Sequence, residues 1–228
     1  MCHRVLGPNL SQRLCYDPAL MNAPNSPPPP SAPAAPEPTA NVRDRILAAA
    51  YRLFSQQGIR AVGIDAIIQH SGVAKMTLYR HFPSKEDLVL AFLSQRETRW
   101  TTGWLRAEVE QRAESPRERL LAIFDVMGEW FEVPGFEGCS FINVMLETTD
   151  RNSPVRKASV ECLARIREYL QEVAAAAGIA DPGAFASKWH ILMKGAVVAA
   201  AEGDSRAAAH AREIGALLLA SEPPIDVH

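Results

Sequence analysis

The stretch "SGVAKMTLYRHFPSKEDL", Ser71 to Leu88, holds two helix-like pieces in very little chain. The first, Lys75 to Phe82, is about two turns long, too short to be stable alone in water. It sets Lys75, Thr77, Tyr79, Arg80 and His81 around Leu78 and Phe82. Leu78 and Phe82 are four apart and share one face. They predict an inward side, which leaves the hydroxyls and the positive charge facing out. Pro83 breaks the chain. Ser84, with Asp87 three residues on, caps a following helix.

Upstream, "NVRDRILAAAYRLFSQQG" places Ile46, Leu47, Ala50, Leu53 and Phe54 on one helical face. Asn41 is its N-cap, with Asp44 as capping-box partner, and Gly58 is its stop. A second helix covers about Ile64–His70, with Ile64, Ile67 and Ile68 inward. Gly72 then makes a tight turn into Lys75. Two short helices joined by a glycine-containing turn inside a three-helix unit describe a helix-turn-helix. The short second helix needs no stability of its own, because the unit holds it up, and its free face can enter a DNA major groove.

The same periodicity continues to the end. The helix after Ser84 runs to about Glu110. Ser115 and Pro116 open another helix, "GCSFINVMLETT" is helix-like, and Pro154–Ala177 is long and ended by Gly178. Asp181 and Pro182 open the next helix, which stops near Gly203, and "SRAAAHAREIGALLLA" is the last. No segment alternates with period two, so the chain reads as all-α with about nine helices.

Composition supports a folded chain of one large or two small domains. Of 228 residues, 47% are hydrophobic and 22% charged, which is ordinary for a globular protein and excludes a wholly disordered one. The formal charge of −2 is unevenly spread. Residues 41–90 carry seven Lys/Arg against four Asp/Glu, and residues 91–228 carry 15 against 20. A basic small part and an acidic large part suggest two tasks. The expected organisation is a helix-turn-helix domain over 41–90 and a larger helical domain over 91–222. Before them, residues 1–40 hold ten of the 17 prolines and read as disordered or partly polyproline II. That segment is a passive extension or a partner-binding tail, and Met21 is an alternative start.

Cys2, Cys15, Cys139 and Cys162 form no C-x-x-C pair, and no histidine stands at metal-ligand spacing from them. A reducing, cytoplasmic setting is expected, with no metal and no cofactor. No apolar run reaches the roughly 18 residues of a membrane span. There is no G-x-S-x-G, no H-E-x-x-H and no Gly-rich phosphate loop, so an enzyme is not expected.

In order and spacing, "RILAAAYRLFSQQG", "IDAIIQHSGVAKMTLYRHF" and "PSKEDL" resemble the DNA-binding domain of the TetR family of bacterial transcriptional regulators. The resemblance covers roughly residues 43–90. It implies DNA contacts from Lys75, Thr77 and Tyr79, more variable ones from Arg80 and His81, and a phosphate contact from Lys85 at a helix N-terminus. Gly63 and Ala74 depart from the family pattern, which often has Ser or Thr there; a cap or a hydroxyl-to-phosphate contact is lost at each. The resemblance further implies a ligand-responsive regulator, most readily a repressor, released from a palindromic operator by a small-molecule effector. The alternative is a nucleoid-associated protein acting through a protein partner.

For the larger domain, Trp100, Trp104, Phe124, Trp130 and Trp189 stand at helical spacing, which suits a core as well as the wall of a ligand pocket. Cys139, Asn143 and Glu147 are four apart and would share a polar stripe facing such a pocket, or else face water. His190 is similarly a pocket candidate. The small and aliphatic residues of the last two helices, among them Val197, Ala200, Ile214, Leu217 and Leu218, are the expected homodimer surface.

Overall fold

A computed structural model describes residues 41–222; the expectations for residues 1–40 lie outside them. Among the described residues there are nine helical rods and no strand. They are α1 (Val42–Ala61), α2 (Ile64–Ser71), α3 (Lys75–His81), the composite α4, α5 (Pro116–Phe131), α6 (Ser140–Glu147), α7 (Pro154–Ala176), α8 (Pro182–Ala201) and α9 (Ala207–Ala220). The rod α4 is continuous across α-helical Lys85–Glu97, π-helical Thr98–Leu105 and α-helical Arg106–Arg112. It therefore crosses residue 90, and one hydrophobic core runs through both parts of the chain.

The N-terminal unit forms for the reasons its sequence states. Ile46, Ala50, Leu53 and Phe54 of α1 are buried with Ile67 of α2, Leu78 of α3 and Phe82. Burying a Leu or Phe side chain contributes about 1.5–3 kcal/mol, which is what holds the seven-residue α3 in place. Two arginines of α1 add to this. Arg45 Nη2 donates to the Ser71 and Gly72 carbonyls at the end of α2, at 2.8 and 3.3 Å. The Arg43 guanidinium lies 5.0 Å from the Phe82 ring centroid.

The caps fall where the sequence puts them, with one difference. Ser84 and Asp87 form a full capping box, as do Ser115 and Glu118, and Asp181 caps α8. At Asn41 the return bond goes from the side-chain amide to Asp44, rather than from the backbone N–H. Gly58 has φ 79°, which ends the regular part of α1 and leaves Ile59–Ala61 as a short continuation past the kink.

The π-helical turn in α4 was not expected. Its wider turn brings Gly103 so close to the preceding backbone that a Cβ there would lie 2.8 Å from the Thr98 carbonyl oxygen. Only glycine fits. Trp100 and Trp104 both lie in this turn and both are buried.

Candidate nucleic-acid interface and effector cavity

On α3, Lys75, Met76 and Arg80 are exposed, while Thr77, Tyr79 and His81 are half-buried. Tyr79 is shared between roles, because its ring packs against the core while part of it stays open. Met76 is 80% exposed, the greatest exposure of any large hydrophobic side chain among the described residues. The sequence analysis did not single it out. A thioether beside Lys75 and Arg80 suits the 5-methyl group of thymine in a major groove.

Lys85 is the first residue of α4 and half-buried. Burial pushes its ammonium down, and the nearby Glu147 carboxylate pulls it back up. The Ser84–Asp87 box occupies the Ser84 and Asp87 N–H groups. Those of Lys85 and Glu86 have no intrahelical acceptor, and a phosphate can take them. Division of labour follows. Lys85→Ala should weaken binding to all DNA sequences alike and flatten the salt dependence by about one unit of slope. Lys75→Ala should also change base preference. Selection of binding sites from random DNA, run with both variants, separates the roles; a reversed result reassigns them.

The second site is a cavity of about 30 Å³ lined from α4, α5, α6, α7 and α8. Its walls include Trp100, Met127, Trp130, Phe141, Leu163 and Met193. The Trp100 and Trp130 rings meet edge-on with centroids 4.9 Å apart. Arg96, Cys139, Ser140, His190 and Lys194 supply the polar lining. Arg96 Nη1 also donates to the Tyr51 hydroxyl of α1 at 2.7 Å. Burial pushes the Cys139 thiol up, against an opposite pull from the Ile142 and Phe141 N–H groups, Arg96 and Lys194. The cavity has room for about one water, against about 300–1,000 Å³ for a site holding a drug-sized molecule, so a ligand must open it.

Burial pushes His190 down to about 3, and the cations Lys194 and Arg167 push the same way. The native imidazole is therefore neutral near pH 7. The unfolded chain protonates it near pH 6.5, whereas the folded chain does so only near pH 3. Between those values the unfolded state binds more protons, so stability falls as pH drops, by up to about 1.4 kcal/mol per unit. His190→Gln should remove this loss. Urea unfolding of wild type and variant at about pH 7 and about pH 5 checks it; an unchanged difference between them would show that the imidazole titrates normally.

Of the nine pocket candidates, Trp100, Trp130, Cys139 and His190 line this cavity, and five do not. Trp104 packs behind Trp100 at 5.9 Å. Phe124 and Trp189 lie elsewhere in the core, off the cavity wall, where Trp189 stacks on Phe185 at 5.2 Å and meets Phe124 at 5.2 Å. Cys139 is the N-cap of α6 rather than a member of it, so the supposed polar stripe does not form. Asn143 faces out and holds the Glu137 carbonyl at 3.1 Å. Glu147 docks on the DNA-binding unit, where its Oε2 accepts the Arg60 N–H at 2.8 Å. The reason is electrostatic. A carboxylate in an apolar cavity is costly, whereas the backbone just past the Gly58 kink offers it a donor.

Two family descriptions match the chain. Residues 46–92 match bacterial regulatory proteins of the tetR family, and residues 116–214 match the tetracyclin repressor-like C-terminal domain. Among solved structures, SCO4454 of Streptomyces coelicolor, a TetR-family transcriptional regulator, superposes with a TM-score of 0.71 and 30% identity, over 79% of this chain and 95% of that one. The chain belongs to the TetR family. It is a transcriptional regulator with a DNA-binding helix-turn-helix, and not an enzyme. Curated relatives agree over shorter stretches. QacR of Staphylococcus aureus is 34% identical over 70 residues, 31% of this chain and 37% of QacR. LmrA of Bacillus subtilis is 31% identical over 124 residues, 52% of this chain and 63% of LmrA. The chain thus matches less than two thirds of the length of either. Among the described residues no helix is long and apolar enough to cross a membrane.

As a TetR-family fold, the molecule leaves one broad apolar face open, across α8 and α9. Ile191, Val198, Ile214 and Leu217 are 69%, 49%, 54% and 74% exposed. Leu218 is half-buried beside them, and Ala200 is half-buried at the mouth of a groove toward α5. Val197 is a correction. It is 8% exposed and lines the cavity, and its neighbour Val198 takes the outer position. Because α8 is apolar nearly all round, its sequence does not say which side faces in. The 191/198 pair, seven apart, was the missed signal. Arg96 and Lys194 were missed too, although Lys194 is the single charge in the last 12 residues of α8.

Proposed function

We propose that this protein is a homodimeric repressor that binds a palindromic operator and is released from it by a small molecule. One observation carries the reading: two rods touch both the cavity and the DNA-binding unit. On α4, Arg96 lines the cavity and donates to Tyr51 of α1. The first turn of α6 lines the cavity, and its last residue, Glu147, holds the Arg60 N–H. A molecule that enlarges so small a cavity by pushing on either rod moves a contact of the DNA-binding unit with it.

In a two-fold dimer the recognition helices must sit about 34–36 Å apart to enter successive major grooves. A ligand that favours another spacing releases DNA. The coupling needed is typically about 1–3 kcal/mol and is reciprocal, so operator weakens ligand binding by the same factor. The covered face implied by α8 and α9 supplies the two-fold contact.

Selection of bound sequences from random DNA tests the first half. A palindrome with half-sites one helical turn apart, or a multiple of it, is expected. An unpaired or dispersed preference would remove the operator reading. Mass spectrometry of co-purifying molecules, followed by operator titrations with and without each one, tests the second. A ligand that binds equally well with and without operator would remove the release mechanism and leave DNA binding intact.

A further inference from the structure

The cavity's polar atoms share one character. No Asp or Glu lines it, while Arg96 and Lys194 both do. Arg96 comes from α4 and Lys194 from α8, where Lys194 stands one helical turn after the lining residue His190 and shares its side of the helix. Lys194 has the Arg167 guanidinium nearby, and no described carboxylate forms an ion pair with it.

Two further polar groups in the lining have no partner. His190 is 3% exposed and its Nδ1 makes no hydrogen bond. The buried Trp100 Nε1–H also makes none. A buried polar group left unpaired is costly, and a ligand that completes it recovers that cost. The rest of the wall is aromatic, aliphatic and thioether. Met127 and Met193 are flexible enough to repack around a guest.

We propose that the effector is an amphiphilic organic anion, with a hydrocarbon body against Trp100 and Trp130 and a single carboxylate or equivalent acid beside Lys194 and His190. This rests on the effector reading above and names the chemistry of the same site. Neutralising Lys194 relieves its repulsion with Arg167. The Trp100 indole N–H and the His190 imidazole complete the anion's hydrogen bonds. A cationic guest meets the Lys194 ammonium and no Asp or Glu in the lining.

The test is calorimetric titration of the full-length protein with two anions, 2-naphthoate and decanoate, and with their neutral amides. At least one anion should bind about ten- to a hundred-fold tighter than its amide. Lys194→Met should erase that preference, and Lys194→Arg should restore most of it. Thermal unfolding of each variant confirms that it folds. Amides that bind as well as the acids, a preference that survives Lys194→Met, or no binding of either anion would each overturn the proposal. An operator arm separates it from the reading it rests on. An anion that binds with the expected preference but leaves operator affinity unchanged defeats the release mechanism alone. A neutral compound that occupies the cavity and releases operator defeats the anion assignment alone.

Discussion

A protein with glutamate at both Ile191 and Leu217 is expected to be monomeric, with operator affinity reduced about 10²–10⁴-fold. Both side chains are more than two thirds exposed in the single chain, so exchanging them costs the fold little. In a dimer each would be desolvated against its symmetry mate. Four carboxylates would then enter an apolar contact without partners, and that contact cannot form. The DNA consequence is larger than the change at the interface. A lone seven-residue recognition helix reads only one half-site. Linking two such helices turns the second docking step into an intramolecular one, and that advantage disappears with the dimer. Light scattering at micromolar concentration and operator titration by fluorescence anisotropy check both parts. A wild-type monomer, or a double variant that still dimerises, would show that the open face is not the contact.

Trp189→Ala is expected to cost about 3–5 kcal/mol and to lower the melting temperature by roughly 6–20 °C. The ring is fully buried, stacked on Phe185 and tilted against Phe124. Gly215 of α9 packs directly on it: a Cβ there would stand 2.9 Å from Trp189 Cη2 and 2.9 Å from Phe124 Cε2. Tight packing of this kind has no neighbour ready to fill the void, which sets the cost at the upper end. The ring also seats α9, which carries Ile214 and Leu217, so a weaker dimer should accompany the lost stability. Urea and thermal unfolding measure the effect. A fall below about 2 °C would return Trp189 to the wall of an adaptable pocket.

The local signals of the sequence were sufficient for the helix-turn-helix. Leu78 and Phe82 are four apart, Gly72 makes the turn, and Ser84 with Asp87 makes the box. Each acts on neighbours within one or two turns, so its effect can be read without knowing what else is near. The helical class and the element order follow from the same short-range physics. The π turn was hidden because nothing in a glycine on a helix says that its missing Cβ is required by a carbonyl five residues back.

What only the tertiary structure decided is where each long-range partner lies. Phe124 and Trp189 read in the sequence just as Trp100 and Trp130 do, as aromatic residues on helices, yet one pair fills the core and the other walls a cavity. Val197 and Val198 differ by one position and by about 100° around α8, and only the packing of α7 and α9 says which faces in. Glu147 reads as a pocket residue in its own segment, until the kink at Gly58, 89 residues away in sequence, presents it with the Arg60 N–H. Periodicity ranks the faces of a helix by polarity. It does not rank two apolar faces against each other, and it carries no term for a hydrogen-bond donor supplied by a distant turn.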